Sequence, residues 1–156
     1  MLARQGLLER GLQLCDEALA LLEADPDPVV HGTALDRRGM ILAFLGDTDE
    51  ARLTVDQAFE VATAAGDRAL LCAIQSHRGS IRGRLGQWEH ALRCLDEAVA
   101  LARSLGDPYL ESIAWWERTD VLTRKGDLDA ALRRLHHHRQ ATAQRMIAAG
   151  TGGSII

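Results

Sequence analysis

Three consecutive histidines, His136, His137 and His138, are the residues of this sequence that most readily suggest metal chemistry. Imidazole nitrogens bind zinc when three or four ligands converge on one point. On a helix, consecutive side chains point about 100° apart, so three in a row cannot converge on one ion. We therefore expect a polar outer face on a terminal helix, with no metal and no other cofactor.

Cysteine chemistry is the second possibility, because the chain contains Cys15, Cys72 and Cys94. Their number is odd and no pair has CxxC spacing, so we expect reduced thiols rather than a disulfide framework. All three fall on apolar helical stripes, which favours packing. The sequence also has no glycine-rich phosphate loop, HExxH or GxSxG motif. We predict that the chain is not an enzyme and has no catalytic residue.

Three arginines, Arg38, Arg78 and Arg118, are spaced 40 residues apart. They could form a basic ladder for an anionic partner. The interpretation that we favour is that their aliphatic stems pack at helix crossings while the guanidinium groups reach water or a carboxylate.

Composition excludes several classes of function. The net charge is −4, so we expect no nucleic-acid partner. No apolar stretch approaches the roughly 18 residues that a membrane span needs, so we expect no membrane partner. Charges at Arg4, Glu9 and Arg10 interrupt the start of the chain, which argues against a signal peptide. These features predict a cytoplasmic protein.

A 40-residue repeat organises the chain. Gly46 and Ala51 recur as Gly86 and Ala91, and again as Gly126 and Ala131. A period of 20 to 50 residues is typical of stacked repeat units. We predict one repeat domain over 1–148, followed by a flexible tail over 149–156. Its parts are a half unit at 1–27 and full units at 28–66, 67–106 and 107–148.

Each full unit is predicted to contain two helices. Apolar residues follow the i, i+3, i+4, i+7 pattern of an amphipathic helix. Gly-Asp pairs separate the helices, because Gly suits the left-handed end of one helix and Asp can cap the next. The recurring alanines should mark close helix crossings. The predicted helices span about 2–24, 28–45, 48–65, 67–85, 88–105, 107–125 and 128–148.

The spacing of small residues resembles the tetratricopeptide repeat (TPR) family in a 40-residue long-helix variant. The family pattern appears as Gly39–Gly46–Ala51–Ala58 and as Gly79–Gly86–Ala91–Ala98, while the third unit departs from it at Thr119 and His138. Long-helix forms occur in kinesin light chains and bacterial regulators. The resemblance implies an all-α, right-handed α-solenoid of about seven helices in antiparallel pairs, with a concave groove lined by the first helices.

The resemblance also implies that the groove binds a protein or peptide partner. Family members that clamp a terminal carboxylate use lysines and asparagines, whereas this chain has only Lys125 and no asparagine. We therefore expect a different ligand for a scaffold within a regulatory assembly. The candidate groove residues are Asp36, Arg37, Met40, Phe44, His77, Ser80, Arg84, Trp116, Glu117, Asp120 and Arg124.

The first helix has a second apolar row, formed by Leu7, Leu14 and Leu21. A large bare apolar patch usually marks an interface. The row would be covered either by upstream helices of a longer array or by another subunit. The alternative function is therefore a self-associating structural module that forms a homo-dimer or larger homo-oligomer through this row.

Overall fold

The computed structural model describes residues 2–24 and 26–151, with the side chains of all of these except 2, 3, 128–131, 134 and 149–151. This part of the chain forms seven α-helices joined by short connections. Consecutive helices pack against each other, which confirms the predicted all-α solenoid of antiparallel helix pairs. The helices are α1 (Leu2–Leu22), α2 (Pro28–Leu45), α3 (Thr48–Ala65), α4 (Arg68–Arg84), α5 (Trp88–Leu105), α6 (Pro108–Lys125) and α7 (Leu128–Thr151).

A glycine followed by an aspartate forms most of the tight turns between helices. Gly66 ends α3 in the left-handed region at φ +72°, where a side chain would be strained. Asp67 then begins α4, and its carboxylate accepts a hydrogen bond of 2.9 Å from the N–H of Leu70. Asp107 caps α6 in the same way. The capping prediction is wrong at Asp47, whose ψ of 68° departs from that of the capping aspartates and whose side chain accepts no capping bond.

Small residues bring the two helices of a unit together. Ala51 and Ala91 are fully buried. A Cβ added to Gly39 would lie 3.2 Å from the carbonyl oxygen of Ala51, and one added to Gly79 would lie 3.0 Å from that of Ala91. The predicted crossings at Ala51 and Ala91 are therefore confirmed, while Ala131 lies outside the described side chains.

The helix boundaries differ from the predicted ones by a few residues. Helix α1 ends at Leu22, two residues early, and α7 continues to Thr151, beyond the predicted end at 148. Asp67 and Asp107 precede their helices as caps instead of opening them. Residues 152–156 of the predicted flexible tail lie outside the described residues.

Candidate interaction surface

The first helices of the three full units lie side by side, because α4 packs against both α2 and α6. Side chains that are 40 residues apart in sequence are thereby placed on one surface. We call this surface the first-helix face. It consists of the predicted groove residues that reach solvent: Arg37, Met40, Phe44, His77, Arg84, Trp116, Glu117, Asp120 and Arg124.

His77 of this face binds the buried Asp36 and so joins α4 to α2. The Nδ1 atom of His77 lies 2.8 Å from Oδ1 and 3.0 Å from Oδ2 of Asp36. Asp36 is only 2% exposed, and a carboxylate that is buried this deeply needs a polar partner. Ser80 is buried as well. Asp36 and Ser80, both predicted groove residues, therefore support the face from below and are not open to a partner.

Arg84 and Phe44 form the clearest contact between units on the face itself. The guanidinium carbon of Arg84 lies 5.4 Å from the centre of the Phe44 ring, within the range of a cation–π interaction. Both side chains are exposed. The pair therefore presents an apolar ring and a positive charge together, on adjacent first helices.

Trp116 dominates the α6 part of the face. Its side chain is 71% exposed, which is unusual for so large an apolar group. A shallow cavity of about 150 Å³ lies beside it, lined by Thr119, Asp120 and Thr123 as well. Arg124 donates from Nε to Asp120 across 2.6 Å at the edge of this cavity. An aromatic anchor is therefore bordered by both signs of charge.

The arginines of the 40-residue series bind carboxylates, as the interpretation favoured from the sequence predicts for their guanidinium groups. Each donates from Nε to an aspartate that lies 22 residues earlier, on the second helix of the preceding unit. This 22-residue offset is present in the sequence, but it is recognisable only once the stacking of the units is known. The distances are 2.8 Å for Arg38 and Asp16, 2.9 Å for Arg78 and Asp56, and 2.7 Å for Arg118 and Asp96.

Asp56 is the most heavily paired of the three aspartates. It accepts hydrogen bonds from Nε of Arg78 and from Nη2 of Arg82, and Arg52 lies 3.5 Å away. Burial alone would raise the pKa of Asp56, but the hydrogen bonds from Arg82 and Arg78 outweigh it and lower the pKa. Asp56 is therefore held as a carboxylate among arginines.

Glu111, a buried carboxylate on α6, binds Arg145 of α7. Arg145 donates from Nη1 to Glu111 across 2.8 Å, and Arg103 of α5 donates from Nε across 2.9 Å. Burial disfavours the charge on Glu111, yet these hydrogen bonds, led by that of Arg145, lower its pKa to about 2. Ion pairs around Glu111 therefore join α7 and α5 to α6.

The histidine run has two environments. His136 and His137 are exposed, as the predicted polar face requires. His138 differs, because its ring packs against Trp115 with 5.5 Å between centroids, and burial lowers its pKa. The prediction of a polar outer face is therefore wrong at His138. Within the described residues, no three His, Cys, Asp or Glu side chains could hold a metal ion.

The cysteines take packing positions. Cys72 and Cys94 are buried, and Cys15 is half-buried on α1. Burial raises the pKa of all three thiols, which disfavours the nucleophilic thiolate. Their environments therefore agree with the prediction that these residues belong to the helical stripes.

Two kinds of contact recur from unit to unit. Two full units repeat the same close approach of a first-helix glycine to a second-helix alanine, at Gly39–Ala51 and Gly79–Ala91. The arginine–aspartate bond then joins each unit to the one before it. The architecture is TPR-like. This result confirms the resemblance deduced from the spacing of small residues.

Comparison with solved structures finds 19 matching chains. The chain is similar to a Podosopora anserina protein whose crystal structure is described as that of a kinesin light chain with nearly identical TPR-like repeats. The two share 14% identity with a TM-score of 0.40, and the likeness covers 91% of each chain. No family model and no curated protein matches the sequence. In the part of this TPR-like chain that is described, no helix is long and apolar enough to cross a membrane.

Proposed function

We propose that this chain is a protein–protein interaction scaffold that binds a peptide or protein partner through the first-helix face. The observation that carries the proposal is the exposure of Trp116 beside a shallow cavity, on the same face as the Arg84–Phe44 pair. Tryptophan and arginine are among the residue types most enriched in interface hot spots. A solvated face without a partner role would gain nothing from keeping so large an indole in water.

The charges of the face indicate the chemistry of the partner. Arg37 and Arg84 are exposed, and neither forms an ion pair with another described residue. Asp36, the one carboxylate on α2, is already bound to His77. The α2 and α4 part of the face therefore favours acidic groups, while the α6 part offers Trp116 to an apolar side chain. We infer a partner segment that has an apolar anchor and flanking acidic residues.

A displayed random-peptide selection tests this function, because it can be carried out before the partner has been identified. Peptides are selected against the wild-type protein, and their affinities are then measured for Trp116→Ala and Arg84→Glu. We expect each change to weaken binding at least tenfold, which corresponds to about 1.4 kcal/mol. The controls are Leu53→Ala and Arg133→Glu, which remove an exposed leucine and reverse an exposed arginine on second helices.

Two results would contradict the proposal. One is a set of selected peptides whose affinities are the same for wild type, Trp116→Ala and Arg84→Glu. The other is a set that loses affinity only in the two second-helix controls. In either case the protein would bind through a surface other than the first-helix face.

Self-association is the second candidate function, and the row on α1 favours it. Leu7 and Leu21 are each 75% exposed and Leu14 is 49% exposed, whereas Leu12 and Leu19 pack against the core. Helix α1 thus has one half-buried apolar side and one exposed apolar side. Light scattering over a range of concentrations should show a dimer that the Leu7→Asp, Leu14→Asp double variant converts to monomer. A wild-type protein that stays monomeric throughout would exclude this candidate.

A further inference from the structure

The second helices carry a different feature on the other side of α4. A cleft of about 280 Å³ opens between α3 and α5, with α4 as its floor. Three arginines border it, and Glu97 is the one carboxylate among its lining residues. None of these residues belongs to the first-helix face. The lining residues are Phe59, Gln75, Arg78, Arg82, His90, Arg93, Cys94 and Glu97.

The repeat provides an internal reference for this cleft. Arg82 stands where the other full units have Leu42 and Leu122, and both leucines are buried core residues. Replacing a core leucine with arginine normally costs stability, because a guanidinium must be desolvated. Only the second unit makes this replacement, so the position is not needed as an arginine to form the fold.

The residues around the equivalent arginines Arg38 and Arg78 also differ between the first and the second unit. In the first unit, Arg38 donates to Asp16, to Glu50 and to the hydroxyl of Thr54. The corresponding acceptors of the second unit are Asp56, retained, with His90 in place of Glu50 and Cys94 in place of Thr54. One carboxylate and one hydroxyl acceptor of the first unit are therefore absent around Arg78, while the amide oxygen of Gln75 supplies a neutral acceptor at 2.7 Å from its Nη1.

Positive charge has been added at the same time. Arg93 stands where the first unit has Leu53, as does Arg133 in the third unit, and Arg52 stands where the half unit has Leu12. Asp56 is shared among Arg52, Arg78 and Arg82, and Glu97 accepts a hydrogen bond from Gln75. Arg93 forms no ion pair with any described residue. The carboxylates present are therefore too few to balance the four arginines.

One nitrogen of Arg82 remains without an acceptor. Its Nη2 atom is bound to both oxygens of Asp56, but its buried Nη1 atom has no hydrogen-bond partner among the described residues. A buried guanidinium nitrogen without a partner is costly. An oxyanion held in the cleft would supply an acceptor close to this group and would offset the surplus positive charge.

From these features we propose that the cleft formed by Arg82, Arg93 and His90 is a binding site for a phosphate group. The planar forks of two arginines match phosphate oxygens, and His90 adds a ring N–H donor. The site goes beyond the proposed scaffold function and does not depend on it, because it uses different residues on a different side of α4.

Isothermal titration calorimetry with inorganic phosphate at constant ionic strength tests the site on the full chain. We expect saturable binding to the wild type and at least a tenfold loss of affinity in Arg82→Leu, which restores the residue of the sister units. Arg93→Leu should lose affinity to a similar extent, and because Arg93 is exposed this variant keeps the test valid if Arg82→Leu misfolds. Arg133→Leu is the matched control, since Arg133 holds the equivalent position of the next unit and should leave binding unchanged.

A second titration with O-phosphoserine separates the two sources of the group. Tighter binding of O-phosphoserine than of phosphate would indicate a phosphate monoester as the ligand, and the reverse order would indicate the free ion. The proposal is overturned if the wild type gives no saturable heat with either probe. It is equally overturned if Arg82→Leu and Arg93→Leu bind both probes as tightly as the wild type does.

Discussion

Arg78 donates from Nε to Oδ1 of Asp56 across 2.9 Å, and this bond joins α4 to the second helix of the preceding unit. The same bond recurs one unit earlier and one unit later. The arginines are well shielded, with Arg118 only 8% and Arg78 only 17% exposed at the side chain. A polar bond repeated at every interface between units fixes how the units stack.

Removing Asp56 should destabilise the protein. Asp56→Ala leaves Arg78 and Arg82 partly buried without their shared acceptor, so we expect a loss of about 1–3 kcal/mol in the free energy of unfolding. Urea unfolding followed by circular dichroism measures it. Asp120→Ala is the control, because the Asp120–Arg124 pair is exposed and should contribute less than about 1 kcal/mol. Equal effects of the two changes would contradict a structural role for the interface bond.

Gly79 should not tolerate even one methyl group. A Cβ at this position would collide with Cγ of Leu95 and lie 3.0 Å from the carbonyl oxygen of Ala91. We expect Gly79→Ala to cost about 1–3 kcal/mol through overpacking, despite the better helix propensity of alanine. Gly6→Ala is the matched control, because nothing lies within 4 Å of its added Cβ. That change should be neutral or stabilise the protein by up to about 1 kcal/mol, and thermal midpoints of both variants decide the matter.

The sequence predicts the fold well because its signals are local and repeated. Gly66 and Asp67 report a helix end and a helix start within two residues, and 40-residue spacing then places units against each other. The site is harder to predict. Asp36 and Trp116 both fall at predicted groove positions, but one is buried against His77 and the other is exposed. Burial at such positions depends on how far each helix rotates against its neighbour, which no local pattern encodes.

The same limit applies to long-range charge pairs. The 22-residue offset of Asp16 and Arg38 is constant along the chain, so it is readable once the stacking is known. The contact of Arg145 with Glu111 spans 34 residues, and among the described residues it has no equivalent in other units. A contact that does not recur cannot be recognised from the repeat, because the other units have no equivalent pair of residues for comparison.

Leu95 tests the core of the second unit. Its side chain is fully buried against Ala91 and Val121, so Leu95→Ala removes apolar contacts from two units at once. We expect a loss of about 2–5 kcal/mol in the free energy of unfolding. Leu132→Ala should cost well under that, because Leu132 is 64% exposed. An unchanged thermal midpoint in Leu95→Ala would show that the described packing of α5 against α6 is wrong.

Glu111 should make the docking of α7 sensitive to acid. Its pKa is lowered from 4.5 to about 2 in the folded chain, so it binds protons more readily when unfolded. Its pairing therefore stabilises the protein fully above pH 4.5, and this contribution disappears as the pH falls toward 2. We expect about 2 kcal/mol at neutral pH, because Arg103 and Arg145 are each half exposed and solvent weakens their pairing.

Free energies of unfolding for wild type and Glu111→Gln, measured from about pH 7 to about pH 2, should differ most above the ordinary pKa of glutamate and converge in acid. A difference that stays constant over this range would mean that folding does not lower the pKa of Glu111.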